Sequence, residues 1–242
     1  MNSLFTKICV WGVILLCLIP AGAIANIGKI QASSAEDVAL LFYRMANARP
    51  SFDLWIKETE PYSVTALARR DEVYASQMAR LVQAWQKLDP ATSVITLVTP
   101  AIGKVEITSS ADSKTPPVSV LNIRFAHGLA DYFPYDFREE RFVVIPTKLK
   151  ERMNPVLTPD LAKNLQAALG TGKNLRLVMT LKPLRSDISG VQDIDGIPSW
   201  LMSADIASLS LWTPAGSLVW EYVSPIPPAL ITPTQKPSAA AR

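Results

Sequence analysis

The chain reads as an α+β protein, a helical N-terminal part followed by a mostly antiparallel sheet with one crossover helix. Three observations predict it. Apolar residues recur at helical spacing as far as Leu88 and at strand spacing from Val94 onward. One well-capped helix, 158–169, interrupts the strands. The connections between several neighbouring strands are short, which favours antiparallel pairing.

In chain order, residues 33–48 predict a helix. Ser33 and Glu36 have capping-box spacing, Val38, Leu41, Phe42 and Met45 form the apolar face, and Pro50 ends the segment. Residues 63–88 predict a longer helix, with Ser63 as cap. Leu67, Tyr74, Leu81 and Leu88 repeat every seven residues, with Met78 and Trp85 between them, and Pro90 stops it. That stripe suits packing on the same domain or on a partner helix.

Strands follow at 93–99 and 102–108, with Pro100-Ala101 between them as a short turn. Residues 109–117 are a polar loop, 118–125 return to strand character and 141–145 form a further short strand. The helix 158–169 has Thr158 as cap, Pro159 at its first position and Gly170 after its end, with Leu161, Leu165, Ala168 and Leu169 as its stripe. Strands at 175–181, 202–212 and 218–223 complete the set. The alternation of the second slips near Ala207-Ser208, as at a bulge, and Thr213–Gly216 is a turn. The expected organisation is therefore a leader (1–25), a helical segment (33–90), an α+β domain (91–224) and a Pro-rich tail (225–242).

The leader carries one charge, Lys7, before the apolar run Ile8–Ile19, then Pro20 and the small-x-small step Ala23-Ile24-Ala25. That order is the pattern of a secretory signal. Cleavage after Ala25 leaves 217 of the 242 residues, and 23 of the 24 basic residues against all 21 acidic ones. So near-neutral a balance predicts no nucleic-acid partner. Both cysteines, Cys9 and Cys17, lie in the leader, so the cleaved chain has no thiol chemistry. Bulky Leu15-Leu16 before Cys17 argues against a lipoprotein signal. The uncharged stretch 8–25 is just long enough to span a bilayer, so a retained anchor is the rival to cleavage.

Several chemistries are disfavoured. His127 is the sole histidine and no Gly-x-Ser-x-Gly elbow accompanies it, so neither a His-based metal site nor a serine triad is expected. Gly170-Thr-Gly-Lys173 lacks the remaining residues of a phosphate loop and follows a helix instead of a strand. Asp193-Ile-Asp-Gly196 lacks the acidic first and twelfth positions of a calcium loop, leaving an acidic loop between the strands 175–181 and 202–212, or a looser oxygen site with Asp187. Residues 136–185 hold ten Lys/Arg against five acids, a bias that solvent-facing lysines explain and that an anionic envelope surface would also suit.

The densest chemistry is in Phe125–Phe142, read as a loop, where aromatics alternate with both signs of charge. Rigid rings give contact area and charges give orientation, so Tyr132, Tyr135, Asp136, Arg138, Glu140 and Arg141 are the predicted binding residues. Asp136 with Glu140 is the one carboxylate pair with acid–base potential. No catalytic residue, metal ligand or cofactor is assigned. The expected role is an exported protein of the bacterial envelope, a binding or assembly module with an envelope protein as partner, and with membrane contact only if the leader is retained. A carboxylate-dependent hydrolase of an envelope polymer, or a tethered component of an envelope complex, are the alternatives.

Overall fold

The computed structural model describes residues 30–108, 117–126, 131–170 and 174–225. The leader, His127, Lys173 and the tail beyond Pro225 lie outside the described residues. The helices are α1 (Ala35–Met45), α2 (Phe52–Lys57), α3 (Glu60–Val64), α4 (Arg70–Lys87), α5 (Leu149–Arg152) and α6 (Pro159–Leu169). The strands are β1 (Ile95–Thr108), β2 (Val118–Phe125), β3 (Phe133–Phe137), β4 (Glu140–Pro146), β5 (Val156–Leu157), β6 (Leu175–Ile194), β7 (Ile197–Trp212) and β8 (Leu218–Val223).

All eight strands form one sheet in the order β3-β4-β7-β6-β1-β2-β5, with β8 pairing β7 beyond the end of β4. Only β4–β7 is parallel. The fold class is thus α+β, as the sequence predicts. The helices cover one face. Along β6, Leu175, Leu177, Met179 and Leu181 point inward with Met202, Ala204, Ile206, Leu209 and Leu211 of β7, and all are buried. The same core takes in α1, α2 and α6.

Helix α1 is the centre of the helical layer. Five consecutive residues, Val38–Phe42, are buried, so the helix is covered on more than its sheet-facing side. Its cap is Ser34, whose hydroxyl accepts from the Asp37 amide while Asp37 accepts from the Ser34 amide. The capping box therefore sits one residue later than Ser33/Glu36 would place it. Ser33 is used elsewhere. Its amide donates to Thr96 O (2.8 Å) and its Oγ accepts from Thr96 N (3.0 Å), so it ties the helix entrance to β1.

The predicted helix 63–88 is broken into α3, a 3-10 turn at Leu67–Arg69, and α4. Of its apolar stripe only Leu81 is fully buried, while Tyr74, Met78, Trp85 and Leu88 pack part-buried on the core and Leu67 is solvent-facing. In α6 the cap and stop are as predicted, but the buried stripe is Ala162, Leu165 and Leu169, and Leu161 is exposed.

Pro100-Ala101 is not a turn. β1 runs straight through it, pairing β6 over Ile95–Ala101 and β2 over Ala101–Thr108. The Pro100 carbonyl accepts from Ala126 N, just past the last β1–β2 pair. A strand residue's N and O point to the same side, so the missing proline N–H falls where the β2 ladder has already ended. Residues 133–146 form a hairpin: the expected strand 141–145 is most of β4, while Phe133–Phe137, read as loop, is its partner β3, and Asp195-Gly196 is the turn between β6 and β7. Both Asp195 (φ 55°) and Gly196 (φ 81°) are left-handed, the pattern of a type I′ hairpin turn. This replaces the acidic loop of the sequence reading and lengthens both strands. The predicted slip is present, since Thr180 pairs Ser208 and Leu181 pairs Ile206, leaving Ala207 as the extra residue.

On the inner face of β8, the Tyr222 hydroxyl is buried with no hydrogen-bond partner among the described residues. Arg152 stacks on its ring at 4.7 Å. Because an unpaired buried hydroxyl is unfavourable, Tyr222→Phe is expected to leave stability unchanged or raise it by about 1 kcal/mol in urea unfolding. A clear loss would mean the hydroxyl has a partner in solution.

Candidate functional site

The six predicted binding residues fall on the β3–β4 hairpin and its lead-in, but on two opposite faces. In the β3–β4 register Phe137 is opposite Glu140 and Asp136 opposite Arg141. Directly opposed residues share a face, and faces alternate along each strand. Tyr135 and Glu140 therefore point inward with Phe133, Phe137 and Phe142, while Asp136 and Arg141 point outward. Arg138 occupies the turn with φ 58° and lays its guanidinium over the Phe137 ring at 5.0 Å.

Inward, Glu140 is a hub. Its Oε1 accepts from Tyr43 Oη (2.5 Å) and Trp200 Nε1 (3.1 Å), and its Oε2 from Trp55 Nε1 (3.0 Å). One carboxylate at the start of β4 thus joins α1, α2 and β7. Aromatic rings surround it. Trp55 meets Phe137 edge-on at 4.9 Å, Tyr43 meets Trp55 at 5.8 Å, and Phe42 meets both Phe142 and Trp200 within 6 Å. Indole N–H groups only donate, and Tyr43 donates here, so all three neighbours need an acceptor. Burial first, then the hydrogen bond to Glu140 and its charge, hold the Tyr43 hydroxyl well above the ordinary tyrosine range.

Nothing in the sequence marks Tyr43, Trp55 or Trp200 as partners of Glu140. They lie 97, 85 and 60 residues away. The one local sign is Glu140 itself, a charge that shares the inward register of β4 with Phe142, Val144 and Pro146.

Outward, Asp136 and Arg141 form a bidentate ion pair, Nε–Oδ1 2.5 Å and Nη2–Oδ2 3.0 Å. The Arg141 guanidinium holds the Asp136 carboxyl below the usual carboxylate range. Asp136 remains largely solvent-exposed, so the pair contributes at most about 1 kcal/mol. Tyr132 donates its hydroxyl to Asp195, linking the lead-in of β3 to the β6–β7 turn, and that bond raises the Tyr132 hydroxyl. Asp136 and Glu140 do not converge on one cleft. Each is already engaged, one with a guanidinium and the other with three neutral donors.

Tyr135 is half-buried on the inner face, and burial pushes its hydroxyl up to about 12. Its neutral form is therefore favoured by folding. The contribution is complete below the unfolded value of about 10 and is lost as pH rises toward 12. Alkaline unfolding is expected to steepen in that window, and Tyr135→Phe is expected to flatten it. An unchanged alkaline limb in the variant would contradict the assignment.

Other features offer little chemistry. A cleft of about 310 Å³ between α1, the end of α4 and the start of β1 is walled by Val38, Leu41, Leu88, Val94 and Ile95. Its one carboxylate, Asp37, is committed to the α1 cap. Among the described residues, no group of three or more His, Cys, Asp or Glu side chains is placed to hold a metal ion. No helix among them is long and apolar enough to cross a membrane.

The β6–β7 ribbon has a different character. Beyond Pro183 no residue of β6 is buried, and Leu184, Ile188 and Val191 are 39%, 41% and 52% exposed. Register shifts flank the short regular stretch Arg185–Asp187. No family model, curated protein or solved structure matches the chain, so its physical features alone carry the functional reading.

Proposed function

We propose that this chain is an exported envelope protein that acts as a binding or assembly module, and that the outer half of the β6–β7 ribbon is its docking element. The carrying observation is the uncovered apolar ribbon. The β6 strand of the ribbon has no fully buried residue beyond Pro183, and exposed Leu184, Ile188 and Val191 add an unfavourable surface unless something covers them. The separation of Asp136 from Glu140 onto opposite faces supports binding over carboxylate hydrolysis. Export is supported by the leader pattern of residues 1–25.

A photocrosslinking residue at Val191, introduced in cells, is expected to capture a discrete envelope component, whereas one at Leu54, an exposed site on α2, is not. Equal labelling at both positions, or none at Val191, would count against the docking role. Osmotic-shock release of a chain beginning at Asn26 is the expected result for a cleaved leader. Retention in the membrane fraction with residue 8–25 intact would replace it with the tethered reading.

A further inference from the structure

The docking element has a free backbone edge. β1 pairs β6 only as far as Leu181, and β7 occupies the other side, so among the described residues no strand pairs the outer edge of β6 from Lys182 to Ile194. The regular part of this edge is Arg185–Asp187, bounded by bulges that block the pairing of long strands.

The sequence around it is self-complementary. With a two-fold axis at Ser186, antiparallel pairing of the regular stretch of two copies sets Arg185 opposite Asp187 of the second copy, twice, with the exposed Leu184 and Ile188 at the flanking bulges. Opposite charges meet on both sides of the axis, and no like charges meet. Arg185 has no ion-pair partner among the described residues. Asp187 Oδ1 takes the Ser189 amide and hydroxyl, and no described contact engages Oδ2. We propose that the Arg185–Asp187 edge of β6 pairs with the same segment of a second copy, giving a two-fold dimer joined ribbon to ribbon. This rests on the ribbon being the docking element. Two-fold pairing uses up both edges, so the association closes at two copies and does not propagate into fibres.

Light scattering on the purified protein, as the cell processes it, is expected to show the mass rising from one copy to two with concentration. Arg185→Asp and Asp187→Arg are each expected to weaken association about tenfold or more, and the double swap to regain it. Both side chains face solvent, and circular dichroism of each variant checks the fold. A protein that stays monomeric at every concentration would overturn the proposal. So would a dimer indifferent to both swaps, or a double variant no better than the singles. A monomer whose Val191 still crosslinks to another envelope protein overturns the self-pairing but keeps the docking role. A monomer with no such crosslink overturns both.

Discussion

Glu140→Gln is expected to destabilise the protein by about 3 kcal/mol, far more than its near-identical shape suggests. The wild-type carboxylate has two oxygens and only accepts, and its three neighbours only donate. Glutamine keeps one oxygen. If that oxygen faces Tyr43 and Trp200, the amide nitrogen meets the Trp55 N–H, donor against donor. If the amide flips, two donors lose their acceptor instead of one. Charge assistance is lost in either orientation. Tyr43→Phe removes one donor and leaves Trp200 to hold Oε1, so its expected loss is smaller, about 1 kcal/mol. Urea unfolding followed by tryptophan fluorescence measures both, and two of the reporting indoles are in the network. A Glu140→Gln protein within about 0.5 kcal/mol of wild type would place Glu140 among ordinary surface residues and refute the hub.

Gly103→Val is the second large effect. Valine suits a strand by propensity, and on that ground alone the change would stabilise by up to about 1 kcal/mol. The structure reverses the sign. Gly103 faces inward on β1, and a Cβ there would lie 3.0 Å from Leu211 Cδ2, 3.1 Å from Leu175 Cδ1 and 3.4 Å from Leu169 Cδ2. Three leucines from β7, β6 and α6 already fill the space over the glycine. Valine adds two further methyl groups to a packed site, and overpacking of that kind costs about 2 kcal/mol. Alanine, which needs only the leucine tips to shift, is expected to cost less. Pairing Gly103→Val with Leu211→Ala tests the contact directly, because the double variant should be more stable than the sum of the single losses predicts. Strict additivity would show that the valine is accommodated without Leu211.

These two residues also mark how far the sequence is legible. Gly103 in an alternating strand carries no local sign of being needed, since the leucines that crowd it come from three distant segments. Glu140 stands out as a charge among aromatics, but its donors are set by tertiary packing, and sequence reasoning groups it with Asp136, which points the other way. What local chemistry determines is readable. Thr158, Pro159 and Gly170 delimit α6, β2 and β8 begin and end where their alternation does, and the phase slip at Ala207 is a real bulge. Errors arise where a local signal has two meanings. Pro100-Ala101 resembles a turn but lies in a continuous strand, because the proline faces the end of a neighbour's ladder. Asp195-Gly196 resembles part of a cation loop but is a hairpin turn, and missing it shortens two strands.

The burial of α1 bears on how the chain is made. Val38–Phe42 are among the first residues of the core in the sequence, yet the strands that cover them, β3, β4 and β6, come roughly a hundred or more residues later. A growing polypeptide therefore carries five successive apolar residues without their sheet until Leu175–Leu181 has emerged. During that interval the segment is a natural landing site for whatever escorts unfinished chains, and closure of the core must wait for the second half of the protein.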